Sequence, residues 1–259
     1  MLKKTAAALL ALSVCLPLAQ AGAEDVKITA EVRYFYPDLD FKYTHSSVKV
    51  YQDTPLHSPI SHTLDFADNL GAEADNGPEI RIGIGKNWQI SYMKIDSHGR
   101  QMPNQWFDWH GSAYRGTTES DVDMSYLRLA YRQPWIDNER MKAYWLVDVK
   151  DVKLEAKAHD ILANRTEHRK EHQAMPTLGA GIDAAIDAGG RWRGNAEVSY
   201  LPAGSYGQSY DMEAGISYAV DDQFAVSLGY RVIRIKADKD DEGVDFRLKG
   251  PYLGIRGSF

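Results

Sequence analysis

The stretch DFRLKGPYLGIRGSF, Asp245–Phe259, decides the fold. Near its end Leu253, Ile255, Gly257 and Phe259 fall on one side, while Tyr252, Gly254 and Arg256 fall on the other. Strict alternation over a run of this length is the period of a β-strand with two unlike faces.

Working back from this strand, the same period recurs throughout the chain, and long amphipathic helical patterns do not occur. Ten strands are predicted, at about 26–36, 79–86, 88–97, 121–132, 141–157, 174–187, 191–201, 208–220, 224–237 and 245–259, with eight or twelve as the alternative counts. Gly85-Lys86-Asn87, Ala188-Gly189-Gly190 and Asp221-Asp222-Gln223 supply tight turns. The joins at about 37–77, 98–120 and 158–173 are long. In the 141–157 strand Met141, Ala143, Trp145, Val147 and Val149 share a face, and the pattern slips near Asp151-Val152, where a bulge is expected.

The N-terminus sets the compartment. Lys3 and Lys4 precede the apolar run Thr5–Leu18, and Ala-Gln-Ala-Gly-Ala follows at 19–23. A charged start, a short apolar core and a small-residue cleavage site describe a secretory signal peptide over residues 1–23, leaving 24–259 as one domain. The single cysteine, Cys15, lies inside that segment, so thiol chemistry and disulfides are excluded from residues 24–259. Removing Lys3 and Lys4 from 30 basic residues leaves 28 against 36 acidic, a net −8, which argues against a nucleic-acid partner.

After residue 23 no apolar run approaches the roughly 20 residues of a membrane-spanning helix. A secreted chain of this kind enters lipid only as a closed barrel, since nothing else satisfies its backbone polar groups there. The expected fold is therefore an all-β, antiparallel, up-and-down transmembrane barrel in the outer membrane of a Gram-negative bacterium. Short turns alternating with long connections, and Trp88, Trp135, Trp192, Phe224 and Phe259 at the short-turn ends, match such barrels and their aromatic girdles. Many outer-membrane barrels resemble one another in ending on phenylalanine. That resemblance makes Phe259 an assembly signal and implies the barrel-assembly machinery as a partner, alongside outer-membrane lipid and lipopolysaccharide. No motif specifies an extracellular partner.

With the apolar face toward lipid, the opposite face lines the lumen. It carries Glu31, Arg33, Arg81, Arg128, Arg132, Asp148, Lys150, Asp183, Arg193, Glu197, Asp211, Glu213, Arg231 and Arg256. Ten strands about 4.8 Å apart and tilted about 40° enclose a backbone diameter of roughly 20 Å, which arginines from opposite walls nearly fill. Two readings follow: an occluded lumen whose charges pair, giving a structural or surface-interaction protein, and a narrow charged pore for small solutes or ions.

The search for chemistry yields little. His45, His57, His62, His98, His110, His159, His168 and His172 are all assigned outside the strand interiors, with Asp65, Asp96, Asp108 and Asp160 as the nearest acidic helpers. None has the compact spacing of a metal site, and neither a P-loop nor a CxxC occurs, so no cofactor or metal is expected. A loop-sited hydrolase would draw on His98 with Asp96 and Ser97, on Asp108 and His110, or on the carboxylates Asp121 and Asp123. Ser97 and His98, as neighbours on a strand, point to opposite faces. The expectation is a protein that is not an enzyme.

Leu64-Asp65-Phe66-Ala67-Asp68-Asn69-Leu70-Gly71, then Pro78-Glu79-Ile80-Arg81, then Phe107, Gly111 and Tyr114, together resemble a family of small proteobacterial outer-membrane barrels. The resemblance spans about residues 26–132 and implies fold and location without any catalytic residue. Its middle element is one residue longer here. Read physically, Asp65 and Asp68 among Leu64, Phe66 and Leu70 form a turn of amphipathic structure tucked over the barrel mouth.

Overall fold

A computed structural model describes residues 27–45, 63–102, 107–109, 112–114, 116–202, 207–239 and 242–259. The signal-peptide reading of residues 1–23 lies outside the described residues. So do His57, His62, His110 and Gly111.

Ten antiparallel strands close into a barrel. The first is interrupted: β1 (Ile28–Phe35) and β2 (Asp38–His45) flank Tyr36-Pro37 and share one neighbour. Round the wall follow β5 (Gly77–Ile84), β6 (Trp88–Gln101), β9 (Thr118–Asp137), β10 (Met141–Asp160) and β11 (Arg165–Ala185). Then come β12 (Trp192–Pro202), β13 (Gly207–Ala219), β14 (Phe224–Lys239) and β15 (Glu242–Ser258). The register from Thr29↔Ser258 to Phe35↔Tyr252 closes the ring. Short pieces decorate the upper mouth: β3 (Thr63–Asp65), α1 (Phe66–Leu70), β4 (Glu73–Ala74) and the small hairpin of β7 (Phe107–Trp109) and β8 (Ser112–Tyr114). Pro37 has no N–H to give the ladder, and the break it causes is met by Gly250. A Cβ on Gly250 would run into the Tyr36 carbonyl oxygen.

Two expectations are corrected. No bulge occurs at Asp151-Val152, where β10 pairs in register with both neighbours. The irregularity lies at Ala143/Tyr144, which face Ile136 and Pro134 and leave Trp135 as the extra residue. Second, the long joins at 98–120 and 158–173 are mostly strand. β10 and β11 run together to a turn at 161–164, held by the Asp160 carboxylate accepting from the Leu162 and Ala163 amides, with Asn164 at φ 48°. His98, His159, His168 and His172 therefore lie on strands, and the backbone of His45 lies in β2.

What looked like a bulge is a change of environment. On β10 the outward residues Trp145, Val147 and Val149 give way to Asp151, Lys153, Glu155 and Lys157, while the inward ones pass from Asp148 and Lys150 to Val152, Ala156 and Ala158. The exchange repeats outward at Tyr92/Lys94, Leu127/Ser125, Val232/Arg234 and Pro251/Lys249. Inward it runs Arg128/Tyr126, Arg231/Ile233 and Gly250/Leu248. Below this level the outer surface is aliphatic and aromatic, as a lipid-facing band must be. Above it the barrel is built like a water-soluble protein, with apolar residues inside. Trp88, Trp135, Trp192 and Phe224 are exposed at the short-turn end, where Trp88 meets Tyr131 edge-on; Phe259 is half-buried there.

Candidate functional site

Two unlike layers fill the barrel. The lower one is charged. All of the lumen residues proposed from the sequence face inward, and most of them bond across the barrel. Glu213 on β13 accepts from both guanidinium nitrogens of Arg81 on β5, at 2.9 and 2.6 Å, and from Arg33 on β1 at 3.0 Å. Arg231 on β14 donates to Asp211 at 2.9 and 2.7 Å and crosses to Glu79 at 2.6 Å. Arg128 bonds Asp148 at 2.5 Å and lies 2.8 Å from Glu197, which Arg132 also approaches to 2.6 Å. Glu31 takes two bonds from Arg33 and one from the Ser227 hydroxyl.

The remaining charges are settled locally. Lys150 Nζ donates to Thr177 Oγ1 at 2.8 Å and Ser199 Oγ at 2.6 Å, beside Asp148 at 3.4 Å. Arg193 pairs with Asp183 nearer the short-turn end, and Arg256 lies across the ladder from Glu31. Tyr126 and Tyr144 donate to Asp211 and Glu197 at 2.7 and 2.6 Å. Tyr252 lies under the Arg33 guanidinium at 4.2 Å.

Six cations (Arg33, Arg81, Arg128, Arg132, Lys150, Arg231) meet six carboxylates (Glu31, Glu79, Asp148, Glu197, Asp211, Glu213), so the packed layer is neutral. Buried charge is tolerated when it is paired, and each charge here has an opposite charge beside it. Arg81 Nε, Arg128 Nη2, Arg132 Nε, Glu197 Oε1 and the Tyr252 hydroxyl nevertheless make no hydrogen bond. Glu79 was not among the proposed lumen residues, although the Pro78-Glu79-Ile80-Arg81 motif contained it. Tyr126, Tyr144, Thr177 and Ser199 were missed too, whereas Tyr252 was placed inside with Arg256. Their only sequence signal is the alternation phase they share with the charges.

The upper layer is apolar. Leu39, Phe41 and Tyr43 of β2, Met93 and Ile95 of β6, Val122 and Met124 of β9, and Phe246 and Leu248 of β15 converge on α1. The helix forms where the sequence places it. The Asp65 carboxylate caps it, accepting from the Ala67 and Asp68 amides at 3.0 Å, and Gly71 ends it at φ 65°. Phe66 and Leu70 are fully buried, and Phe66 stacks on Phe41 at 4.6 Å. The turn tucked over the barrel mouth is thus observed. A small cleft, with room for little more than a water molecule, lies beside it, lined by Phe41, Tyr43, Phe66, Leu154, Ala156 and Val244 with Arg169 and Glu171.

Among the described residues the serine and histidine named for a hydrolase point apart. His98 bonds Asp121 at 2.7 Å on the outward face above the apolar belt, while Ser97 is buried on the inward face. The hydrogen bond that the His98 ring donates to the Asp121 carboxylate raises the His98 pKa, and burial with Asp96 opposite raises that of Asp123. His168 bonds Glu155 at 2.7 Å and His172 bonds Asp151 at 2.5 Å, again outward. Asp65 and Asp160 are occupied as caps, and Asp96 lies 2.7 Å from Lys94. Among the described residues no group of three or more His, Cys, Asp or Glu side chains is placed to hold a metal ion.

No family model matches the chain, and no curated protein matches its sequence. Solved structures do. The outer membrane protease OmpT of Escherichia coli aligns with a TM-score of 0.56 at 10% identity, over 91% of this chain and 97% of that one. Neisserial surface protein A aligns at 0.35 with 12% identity, over 92% and 99%. The translocator domain of autotransporter NalP from Neisseria meningitidis aligns at 0.35 with 10% identity, over 98% and 97%. Identities this low show the fold alone. The closed barrel, alike in fold to OmpT and banded with apolar residues outside, points to the outer membrane of a Gram-negative bacterium.

Proposed function

We propose that this chain is a closed, non-enzymatic outer-membrane barrel that serves a structural role in the membrane and a surface-interaction role outside it. One observation carries the reading: two seals of different chemistry stand in series along the same axis. The lower seal is the neutral ion-paired layer, and the upper seal is the apolar layer closed by α1. A hydrated ion meets a packed salt-bridge network first and then a dry core. Outside, Lys94, Lys153, Arg234 and Lys249 stand directly above the apolar belt, where phosphate-bearing lipid head groups would lie. Outer-membrane lipid and lipopolysaccharide are therefore the partners proposed for that ring, and the barrel-assembly machinery for the Phe259 end.

Planar bilayers test the proposal. Purified protein that folds by heat-modifiable migration should give no discrete conductance steps. Reproducible steps that change on Arg128→Ala would overturn it in favour of the narrow charged pore. Hydrolysis of peptide or lipid that disappears in His98→Ala would overturn the non-enzymatic part.

A further inference from the structure

The lumen opens at the short-turn end. Most of the charged layer is buried, but the inward residues nearest the turns (Gln89, Arg132, Lys142, Arg193, Asn195 and Arg256) are all partly reached by solvent. Between them the inward positions are small, at Thr29, Gly83, Ala185 and Ala225, so side chains leave the space unfilled. The result is a vestibule with the ion-paired layer as its ceiling. It faces the periplasm, the side on which such barrels carry their short turns.

Its charges do not balance. Arg193 is answered by Asp183. Lys142 Nζ donates only to the Lys86 carbonyl oxygen, at 3.2 Å, and that group is neutral. Asp137, opposite Lys142 on the ladder, is exposed and forms no ion pair with it. Arg256 lies across the ladder from Glu31, whose carboxylate is taken by Arg33 and Ser227. Among the described residues its guanidinium makes no hydrogen bond and no ion pair. Two cations are therefore left over, in a lumen that elsewhere answers each one. The neutral groups beside them can donate as well. Gln89 Oε1 accepts from Arg132 at 2.7 Å, which leaves its NH2 free to donate, and Asn195 adds a second amide.

We propose that this vestibule binds a phosphate monoester from the periplasmic side, held between Lys142 and Arg256. β10 and β15 stand five strands apart in a ring of ten, so the two cations project from opposite walls toward one anion. A phosphate monoester carries nearly two negative charges at neutral pH and three strong acceptor oxygens, which match two cations and a donor-rich lining. Arg256 offers a planar fork and Lys142 a point charge. A carboxylate, with one charge, would leave one cation unanswered. The site ends blindly at the ion-paired layer, so it rests on the closed-lumen reading and adds a binding role on the other side of the membrane.

Glycerol 3-phosphate is the probe, titrated at low salt into the folded full barrel in nonionic micelles and followed by phosphorus NMR line broadening. It should bind with a Kd of about 1 mM or tighter. Arg256→Gln and Lys142→Gln should each weaken it about fivefold, through loss of one charge-assisted hydrogen bond. Asp183→Asn should tighten it about threefold by releasing Arg193, a change opposite in sign to any loss of folding. Methyl sulfate, tetrahedral but singly charged, should compete about tenfold more weakly. No broadening up to about 10 mM, equal competition by methyl sulfate, or a Kd unchanged in both glutamine variants would overturn the proposal. Bilayer conductance tests the closed lumen separately: a conducting barrel that binds the probe sinks only that reading, and a silent barrel that ignores it sinks only this one.

Discussion

Below the level of Val149 and Leu127 the strands carry aliphatic and aromatic residues outward and charges inward; two residues higher, the same strands reverse both faces. β10 keeps its register with both neighbours across that level, so the secondary structure does not dictate the reversal. The surroundings do: lipid outside the lower half, water outside the upper half. The interiors fail differently too. The lower one depends on charges that must all be answered, and losing one partner strands another. The upper one depends on volume, and loses stability by the cavity left behind.

The contrast is broken most severely at Glu213, which answers both Arg33 and Arg81. Glu213→Ala should cost about 3–5 kcal/mol, read as a shifted urea midpoint in gel migration or tryptophan fluorescence. Full stability in that variant would show that the charged layer is not packed as described. The outer faces come next. Val147→Lys, in the apolar belt of β10, should destabilise by about 2–4 kcal/mol. Lys153→Leu, six residues on along the same face, should stay within about 0.5 kcal/mol. Similar costs at the two sites would remove the boundary drawn between them. In the upper interior Leu70→Ala should cost about 2 kcal/mol, near the low end for such truncations because a five-residue helix can settle into the space. That variant should still be silent in bilayers, since the charged layer remains.

The smallest effect concerns His98. Its folded-state pKa is raised by Asp121. Its contribution is therefore complete below the ordinary histidine value of 6.5 and disappears as pH rises through the raised value. The pair is more than half exposed, so screening keeps the loss below about 0.5 kcal/mol. Comparing unfolding midpoints of the parent and His98→Ala at pH 5.5 and 8.5 isolates it. A gap between them that widens with rising pH would reverse the assignment.

Much of this was legible because alternation survives without knowledge of neighbours. The ten strands, the lipid face of Leu253 and Ile255, the inward set from Glu31 to Arg256, and the amphipathic turn of Leu64 to Leu70 are all local patterns. Two things misled. At Asp151-Val152 a change of polarity imitates a change of phase, because a one-residue slip and a reversal of both faces look alike in a single strand. The long joins at 98–120 and 158–173 read as loops because strands above the membrane have charged outer faces like those of solvated loops.

The sequence by itself determined the all-β architecture and which side chains share a face, since each depends on a period of two along one chain. Only the tertiary structure decided which charges meet, as Glu213 with Arg81 across the barrel, and where lipid gives way to water. Those depend on register and height between strands far apart in sequence, which no local period records.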